Sequence, residues 1–261
     1  MDRFLLVNPH SGDDSPSVDE LVRAARARSI RTHVLVEGED PAAVARAAEA
    51  TVVGIAGGDG SLAAVAAAAV ERDAQFVCIP FGTRNHFARD IGLDRNDPIA
   101  ALAAYDGDER RIDVARAGDR LFLNNVSLGV YASLVHRREH HRRSRQAFAR
   151  LRAWMIVGTH REPLGITIDG EPVETRLLLV ANNGYVLDLP SIGARERLDE
   201  GVLHLYVVQG GVEERTGTVF AIDARAGHIA AAIDGEPEVL PTPITFRIEP
   251  RALRVLVPKS V

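Results

Sequence analysis

The first hundred residues alternate short apolar runs with longer stretches of helical periodicity, and this alternation limits the possible folds more than any other feature. The apolar runs predict strands over 4–7, 32–36, 52–56 and 76–80. The helical patterns between them cover 17–28, 41–50 and 61–72. Strands separated by helices of this length form right-handed βαβ units and hence a parallel sheet. The sequence therefore predicts an α/β domain at the N-terminus.

The pattern changes near residue 110, where strand signals follow one another with short turns between them. Such spacing predicts a mainly antiparallel second domain. We expect domains at 1–110 and 111–261, and leave open whether the last segment returns to the first domain. The predicted strands are 111–116, 120–127, 164–168, 175–181, 202–208, 216–222, 228–233 and 244–248.

Three loops of unusual composition follow predicted strands of the first domain. They are NPHSG at 8–12, GGDGS at 57–61 and FGTRN at 81–85. Open α/β sheets bind ligands outside the carboxyl ends of their strands. We therefore expect these loops to gather along one edge of the sheet and to form a binding site there.

The GGDGS loop lies between a buried strand and a helix and predicts a phosphate site. Glycine lets the backbone approach a phosphate closely, and the start of the helix offers free N–H groups and a partial positive charge. The candidate cradle consists of Gly57, Gly58, Gly60 and Ser61. Asp59 repels bare phosphate, so we expect it to hold Mg²⁺ between the phosphates or to orient an attacking hydroxyl. The alternative is a tight turn with an incidental aspartate.

Composition and missing motifs exclude several classes of protein. A net charge of −5 argues against a nucleic-acid binder that works by overall charge. The single cysteine, Cys78, excludes a disulfide within the chain and is expected to be a buried strand residue. No apolar run reaches the roughly 18 residues of a membrane span, so we expect a cytoplasmic protein. Neither a GxxxxGK[ST] run nor the motif set of protein kinases is present.

Five motifs in order carry a resemblance to a known family. They are NPHSG, GGDGS, IPFGTRNHFARDIGL, RIDVARAG and FLNNVSLGVYA. Together they resemble the diacylglycerol kinase catalytic-domain family, which includes soluble bacterial lipid kinases and sphingosine kinases and is distantly related to NAD kinases. GGDG alone also fits an NAD kinase, whereas PFGTRNHFA is similar to the lipid-kinase GTxNxFA motif. The resemblance runs from Phe4 to about Pro258.

The resemblance implies a Rossmann-like nucleotide domain, of the NAD kinase and diacylglycerol kinase kind, followed by a mainly antiparallel β-sandwich, with the active site in the cleft between them. It implies transfer of the γ-phosphate of ATP, with Mg²⁺, to the hydroxyl of diacylglycerol or a related lipid alcohol. The nucleotide contacts implied by position are Asn8, Ser11 and Gly12. The second phosphate loop implied by position contains Gly82, Thr83 and Asn85.

A D-G-E turn near the C-terminus supplies the catalytic base in the resembled family. The pentapeptide IDGEP occurs twice here, with Asp169 and Glu171 in the first copy and Asp234 and Glu236 in the second. The second copy stands where the family has its catalytic turn, so the resemblance implies that one of its carboxylates takes the proton of the lipid hydroxyl. The first copy is the competing candidate and is otherwise an exposed hairpin turn.

Several positions depart from the family pattern. His86 stands where most relatives have aspartate, Ser61 replaces a threonine, and Val36 stands where many relatives have a threonine that contacts the nucleotide. The LDEG stretch occupies the place of a metal-binding turn, so Glu200 or Asp199 is the candidate ligand of a structural Mg²⁺. These departures leave two alternatives: a kinase of this fold with a soluble substrate, such as an NAD-like molecule or a polyol, and a non-catalytic regulator that binds nucleotide or lipid.

The segment 134–157 is strongly basic and amphipathic. Between His136 and Arg152 it contains seven arginines and one acid, Glu139, and it ends in apolar and aromatic residues at helical spacing. Such a helix suits an anionic membrane surface, and the alternative is a helix packed on the second domain with a solvated arginine face. We expect ATP and a lipid alcohol as partners, with peripheral membrane contact through 136–157 and no nucleic acid.

Overall fold

The computed structural model describes residues 2–11, 16–83, 85–129, 163–186, 193–209 and 211–259. The contacts within the chain divide it into two units. The first unit comprises Met1–Ile112 and Arg251–Val261, and the second comprises Asp113–Pro250. The C-terminal segment therefore belongs to the same unit as the N-terminal segment.

The first unit alternates strands and helices, as the apolar runs predict. Its helices are α1 (Val18–Ala27), α2 (Pro41–Ala47), α3 (Asp59–Glu71), α4 (His86–Asp90) and α5 (Pro98–Ala101), followed by a 3₁₀ helix at Leu102–Asp106. Its strands are β1 (Arg3–Val7), β2 (Arg31–Val34), β3 (Val52–Gly57) and β4 (Gln75–Pro80).

The strands of the first unit form a parallel sheet in the order β2-β1-β3-β4. Strands β1, β3 and β4 are almost wholly buried, which explains why their sequences are continuous apolar runs. Near the C-terminus, Arg254 and Val255 extend this sheet by pairing in parallel with Gln75 and Phe76 of β4. The predicted α/β domain with a parallel sheet is confirmed.

Local signals explain where the helices of this unit begin. Ser17 and Glu20 form a capping box at the start of α1, because each side chain accepts a hydrogen bond from the other residue's backbone N–H. Asp40 caps α2, which has proline in its first turn. Helix α3 begins at Asp59, two residues before the predicted start at Ser61, so the Asp59 carboxylate lies in the first turn.

The second unit consists mainly of antiparallel strands. Two of its strands, the first and the last in the following series, also contribute residues to the first unit. The strands are β5 (Asp108–Ala117), β6 (Arg120–Phe122), β7 (Asn125–Leu128), β8 (Ile166–Ile168), β9 (Glu171–Val173), β10 (Leu177–Asn182), β11 (Leu203–Val208), β12 (Val212–Gly217), β13 (Val219–Ala224), β14 (His228–Ile233), β15 (Glu236–Pro241) and β16 (Ile244–Val257).

These strands form two layers around one apolar core. One layer is an antiparallel sheet in the order β12-β11-β10-β7-β14-β15. In the other layer β13 pairs with β16 and β8, and β8 pairs with β9. The shared core includes Leu178 and Val207 from the first layer and Ile222 and Phe246 from the second. The predicted antiparallel β-sandwich is confirmed.

The single strand predicted over 216–222 is wrong. The chain forms two strands here, because β12 ends at Gly217 and β13 begins at Val219, and the two pair in different layers. Most of β12 is exposed and polar, so it lacks the apolar alternation that predicts a strand. The position where a chain changes sheets depends on long-range pairing, which local alternation does not encode.

Candidate active site

The three loops predicted to form a binding site follow neighbouring strands of the first unit. Strands β1, β3 and β4 lie side by side, with Gly57 at the end of β3 opposite Pro80 at the end of β4. The chain order reverses between β1 and β3, so the loops that begin at Asn8 and Gly58 flank a topological switch point. Ligands of open α/β sheets bind at such points.

Two of these loops touch through glycine backbones. A Cβ atom added to Gly82 would lie 2.6 Å from the Cα of Gly58 and 3.1 Å from its nitrogen. A Cβ on Gly57 would collide with the hydroxyl of Ser61, which donates a hydrogen bond to the Gly58 carbonyl at 3.0 Å. Glycine at position 82 is therefore required for the two loops to pack together, whereas glycine at position 57 makes room for a side chain of its own loop.

The start of helix α3 presents N–H groups that no described residue occupies. Its N-cap is Gly58, which has an extended backbone and no side chain to cap the helix. First-turn N–H groups have no partner within their helix, and no described residue accepts a hydrogen bond from those of Asp59, Gly60 or Ser61. These donors, together with the positive end of the helix dipole, form a suitable site for an anion.

Asp59 stands beside this anion site with a carboxylate oxygen to spare. Its Oδ1 accepts a hydrogen bond from the backbone N–H of Phe87 at 3.3 Å, which links α3 to α4. Within the part of the chain that the structure describes, Oδ2 has no hydrogen-bond partner. The residue Cys78 lies in strand β4. Burial raises the pKa of its thiol and the charge of Asp59 raises it further, so the thiol is neutral. Cys78 is a buried strand residue, as predicted.

Asn85 shapes the third loop from within. Its backbone is left-handed, with φ +50°. Its Oδ1 accepts from the Gly82 N–H at 2.9 Å, and its Nδ2 donates to the carbonyls of Gly82 at 2.8 Å and Arg95 at 3.1 Å. The buried amide thus holds Gly82 in contact with the neighbouring loop. Thr83 is exposed on the same loop, and Arg84 lies outside the described residues.

The first loop is anchored to the adjacent strand. The Asn8 N–H donates to the Ala56 carbonyl at 2.9 Å, and the Asn8 side chain accepts from the His10 N–H at 3.0 Å. The Ser11 N–H donates to the Asn8 carbonyl at 3.3 Å. Asn8 and Ser11 therefore lie at the switch-point edge, while the predicted contact Gly12 lies outside the described residues.

The two IDGEP copies form the same tight turn in the second unit. Each connects two strands of a hairpin, β8 to β9 in the first copy and β14 to β15 in the second. The φ angles are +51° and +87° at Asp169 and Gly170, and +47° and +89° at Asp234 and Gly235. Positive φ at both central residues marks type I′ turns, for which Asp-Gly is a favoured sequence.

The two turns differ in what their aspartates bind. The Asp234 carboxylate accepts hydrogen bonds from three consecutive backbone N–H groups, those of Leu123 at 2.8 Å, Asn124 at 2.7 Å and Asn125 at 3.1 Å. Asp169 accepts from the Ala221 N–H at 2.7 Å. Asp234 therefore anchors its turn to a distant loop of the second unit and has few lone pairs left for a ligand.

Glu236 is the second carboxylate of the later turn, and its surroundings are different. It is exposed at the first position of β15. No described residue forms a hydrogen bond or an ion pair with its carboxylate. Of the two acids in this turn, Glu236 is the one whose carboxylate no described residue occupies, so it can accept a proton.

Glu200, the candidate ligand of a structural metal, is engaged by protein groups. Its Oε2 accepts from the Gly184 N–H at 2.9 Å and contacts His204 Nε2 at 3.0 Å. The other ring nitrogen of His204 lies 2.6 Å from the Glu214 carboxylate. Across the described ranges, no three histidine, cysteine or acidic side chains are arranged to hold a metal ion. The role of Glu200 as a ligand of a structural Mg²⁺ stays a prediction.

The basic segment predicted to contact a membrane, 136–157, lies outside the described residues, so the structure does not bear on that prediction. In the described part of the chain, no helix combines the length and the apolar character needed to cross a bilayer.

The loops at the switch-point edge lie in a segment of the chain that matches a known family. Residues 2–117 match the model of the diacylglycerol kinase catalytic domain. The match covers less than half of the chain. The matched segment contains β1 to β4 and all three loops of the site.

Three curated proteins with similar sequences carry the name "Probable lipid kinase YegS-like". The protein from Klebsiella pneumoniae (strain 342) is 31% identical over 138 residues, which are 50% of this chain and 46% of the relative. That from Pseudomonas aeruginosa (strain UCBPP-PA14) is 36% identical over 141 residues, 51% and 46% of the two chains. That from Chromohalobacter salexigens is 28% identical over 227 residues, 80% and 71%. The chain spans about half the length of the first two relatives.

Solved structures confirm the fold. A crystal structure of a diacylglycerol kinase from Bacillus anthracis str. Sterne has a TM-score of 0.70 and 18% identity to this chain, and covers 98% of it and 96% of its own length. Another structure from the same organism reaches a TM-score of 0.75 over the same shares of the two chains. At this identity the likeness concerns the fold alone.

Sequence reasoning missed a buried polar cluster in the second unit. Its members include Asn124, Asn182, Asn183 and Arg195, all with 5% or less of their surface exposed. Two pairs of adjacent asparagines beside apolar strands are the sequence signal that could have revealed this cluster. Asn124-Asn125 stands at the start of β7, and Asn182-Asn183 stands at the end of β10. Buried amides need hydrogen-bond partners, so such pairs predict a polar network inside an otherwise apolar sandwich.

Proposed function

We propose that the chain is an ATP-dependent lipid kinase that transfers the γ-phosphate of ATP to the hydroxyl of diacylglycerol or a related lipid alcohol. The observation that supports this most directly is the switch-point edge of the first unit, where Gly58 and Gly82 touch and the start of α3 offers N–H groups that no described residue occupies. The family of residues 2–117 and the names of the curated relatives support the chemical class.

The phosphates of ATP would bind to the backbone of the GGDGS loop and the adjoining Gly82–Thr83 backbone. Asn85 would act by keeping the latter loop in place, because its amide is used within the loop. Asp59 would hold Mg²⁺, since its uncommitted carboxylate oxygen is the hard ligand that this ion prefers. A bound Mg²⁺ supplies positive charge that offsets the charge of the transferring phosphoryl group.

Glu236 would act as the general base of the transfer. The lipid hydroxyl oxygen forms a bond to the γ-phosphorus while the bond from that phosphorus to the bridging oxygen breaks, and ADP leaves with the electron pair. The hydroxyl proton passes to the Glu236 carboxylate, whose lone pairs no described residue occupies. Asp234 would position the turn through its three backbone hydrogen bonds.

The test is transfer of labelled phosphate from ATP, with Mg²⁺, to a panel of lipid alcohols in mixed micelles. Loss of a general base lowers the rate by about 10²–10⁴-fold, so Glu236→Gln is expected to lose turnover to that extent. Glu171→Gln is the matched control, because it changes the same residue in an identical pentapeptide and an identical turn. Asp59→Asn is expected to lose turnover while the fold survives.

Two outcomes contradict the proposal. If the Glu171→Gln control loses as much activity as Glu236→Gln, the base does not lie in the second turn. If no lipid is phosphorylated although ATP binds, a soluble alcohol or polyol in the same assay distinguishes a kinase with a soluble substrate from a nucleotide-binding regulator.

Membrane contact through 136–157 is part of the same proposal and rests on the sequence of that segment. Flotation with vesicles of anionic and of neutral phospholipid tests it. We expect binding to anionic vesicles that weakens as the salt concentration rises, because salt screens the attraction between the arginine side chains and the anionic head groups. Equal recovery with neutral vesicles contradicts it.

A further inference from the structure

Arg195 is a buried cation of the second unit that the proposed reaction leaves without a role. Only 4% of the residue is exposed. Its Nη1 donates to the carbonyls of Leu123 at 2.6 Å and Asn182 at 3.1 Å, and its Nη2 donates to Asn124 Oδ1 at 2.7 Å. A guanidinium keeps its charge when buried. The segment 123–125, which leads from β6 to the first residue of β7 and is called the 123–125 loop below, therefore has a fixed positive charge on its carbonyl side.

The same loop has a negative charge on its amide side. Its three consecutive N–H groups donate to the Asp234 carboxylate, and the Asp234 N–H donates in return to the Asn125 carbonyl at 2.9 Å. The loop therefore lies between an anion and a cation that it separates. Hydrogen bonds arranged in such a series polarise one another, so each charge strengthens the bonds made to the other.

We infer that Arg195 is a positioning residue that acts through the 123–125 loop on the turn carrying Asp234 and Glu236. The functional part of this inference rests on the proposed role of Glu236. Asp234 and Glu236 are two residues apart in one tight turn, so freedom gained by the loop passes directly to the proposed base. Lysine does not replace arginine here, because it has no planar fork to reach a carbonyl and an amide oxygen together.

Arg116 provides a matched control in the same unit. Its side chain is also largely buried, with 14% exposed, and it donates to the Glu249 carboxylate at 2.8 Å and the Asp119 carbonyl at 2.9 Å. None of its hydrogen bonds within the described residues reaches the 123–125 loop. Removing either arginine costs hydrogen bonds. We expect only the removal of Arg195, and not that of Arg116, to affect the proposed catalytic turn.

The first arm of the experiment measures amide hydrogen exchange in the full-length protein and needs no activity. Loss of a hydrogen bond to a charged group corresponds to about a tenfold change or more in a local equilibrium. Arg195→Ala is therefore expected to speed exchange at the N–H groups of 123–125 by about tenfold or more, relative to the average over the sandwich strands. Arg116→Ala is expected to leave that ratio unchanged. If Arg195→Ala does not fold, Arg195→Lys takes its place.

The second arm measures lipid phosphorylation. Arg195→Ala is expected to lower kcat by about tenfold or more, with the KM for ATP within about twofold of the wild type. Guanidinium ion added at millimolar concentration is expected to restore part of kcat, whereas methylammonium is not, because only the planar fork satisfies both acceptors. A merely structural arginine shows neither the kcat-specific loss nor this selective rescue.

The two arms separate the inference from the proposed function. Unchanged exchange at 123–125 in the Arg195 variant overturns the inference, and so does an equal loss of kcat in Arg116→Ala. If the wild-type protein transfers no phosphate to any acceptor, the proposed function fails, and the exchange ratio still decides whether Arg195 holds the loop. Faster exchange together with a rescued loss of kcat supports both.

Discussion

Gly82→Ala is the most direct test of the contact between the GGDGS loop and the FGTRN loop. The added Cβ would lie 2.6 Å from the Gly58 Cα, whereas carbon atoms in contact are about 3.5–4.0 Å apart. Both groups belong to the backbone, so the loops must separate by about 1 Å. Overpacking of this kind costs about 1–3 kcal/mol, which lowers the melting temperature of a chain this size by roughly 2–12 °C.

The same displacement is expected to impair phosphate transfer. A misplacement of about 1 Å at a reacting site can lower the rate by about 100-fold. Thermal unfolding followed by circular dichroism measures the first effect, and the labelled-ATP assay measures the second. Asn85 faces the same Cβ at 3.1 Å, so the hydrogen bonds that hold the loop are strained as well.

Gly58→Ala is the control, because the same substitution on the facing glycine meets no obstacle. The nearest atom to its added Cβ is the Gly82 Cα at 4.0 Å, and its φ of −85° suits any residue. We expect Gly58→Ala to keep the wild-type melting temperature but to weaken ATP binding, since the methyl group occupies the edge of the phosphate cradle. A Gly82→Ala melting temperature within about 1 °C of the wild type refutes the close contact of the loops.

Two further predictions concern the stability of the first unit. Hydrogen bonds from Arg254 and Gln75 lower the pKa of Glu109 from its ordinary 4.5 to about 2. The stabilising effect of this carboxylate is therefore complete above its unfolded-state pKa and is lost as the pH falls through 4.5 towards 2. Urea denaturation is expected to show Glu109→Gln less stable than the wild type by about 1 kcal/mol near neutral pH, with a smaller gap near pH 3; a gap that stays constant contradicts the assignment. Tyr105→Phe removes a buried hydrogen bond from the Tyr105 hydroxyl to the Phe4 carbonyl. In the same assay we expect the free energy of unfolding to fall by about 1–2 kcal/mol. An unchanged denaturation midpoint contradicts a stabilising role for this hydrogen bond.

The parallel sheet of the first unit could be predicted from the sequence because its signals are local. Buried parallel strands have continuous apolar sequences, and helix starts such as the Asp40 cap and the Ser17 capping box depend on residues within one turn. The three loops at the strand ends were predictable for the same reason. The order of the strands was not predictable and came from the structure. The loop prediction did not need it, because in a parallel sheet the carboxyl ends of all strands lie at one edge, whatever their order.

The antiparallel unit was harder to predict because its elements depend on distant partners. Strands β12 and β15 are polar and partly exposed, so their sequences carry little apolar alternation. Strand β16 continues to Val257 although the predicted strand ended at 248, because its first residues pair with β13 and its last residues pair with β4. Such a division of one strand is a property of tertiary pairing.

The two IDGEP copies show where the information in the sequence ends. The sequence by itself determined the turn, because Asp-Gly accepts positive φ at low cost and both copies adopt it. Only the tertiary structure decided that Asp234 accepts from three N–H groups of a loop more than a hundred residues away. It likewise decided that Asp169 accepts from the N–H of Ala221, which is 52 residues away. Backbone conformation depends on neighbours in the chain, whereas the partners of a carboxylate depend on which segments the fold brings within hydrogen-bond distance.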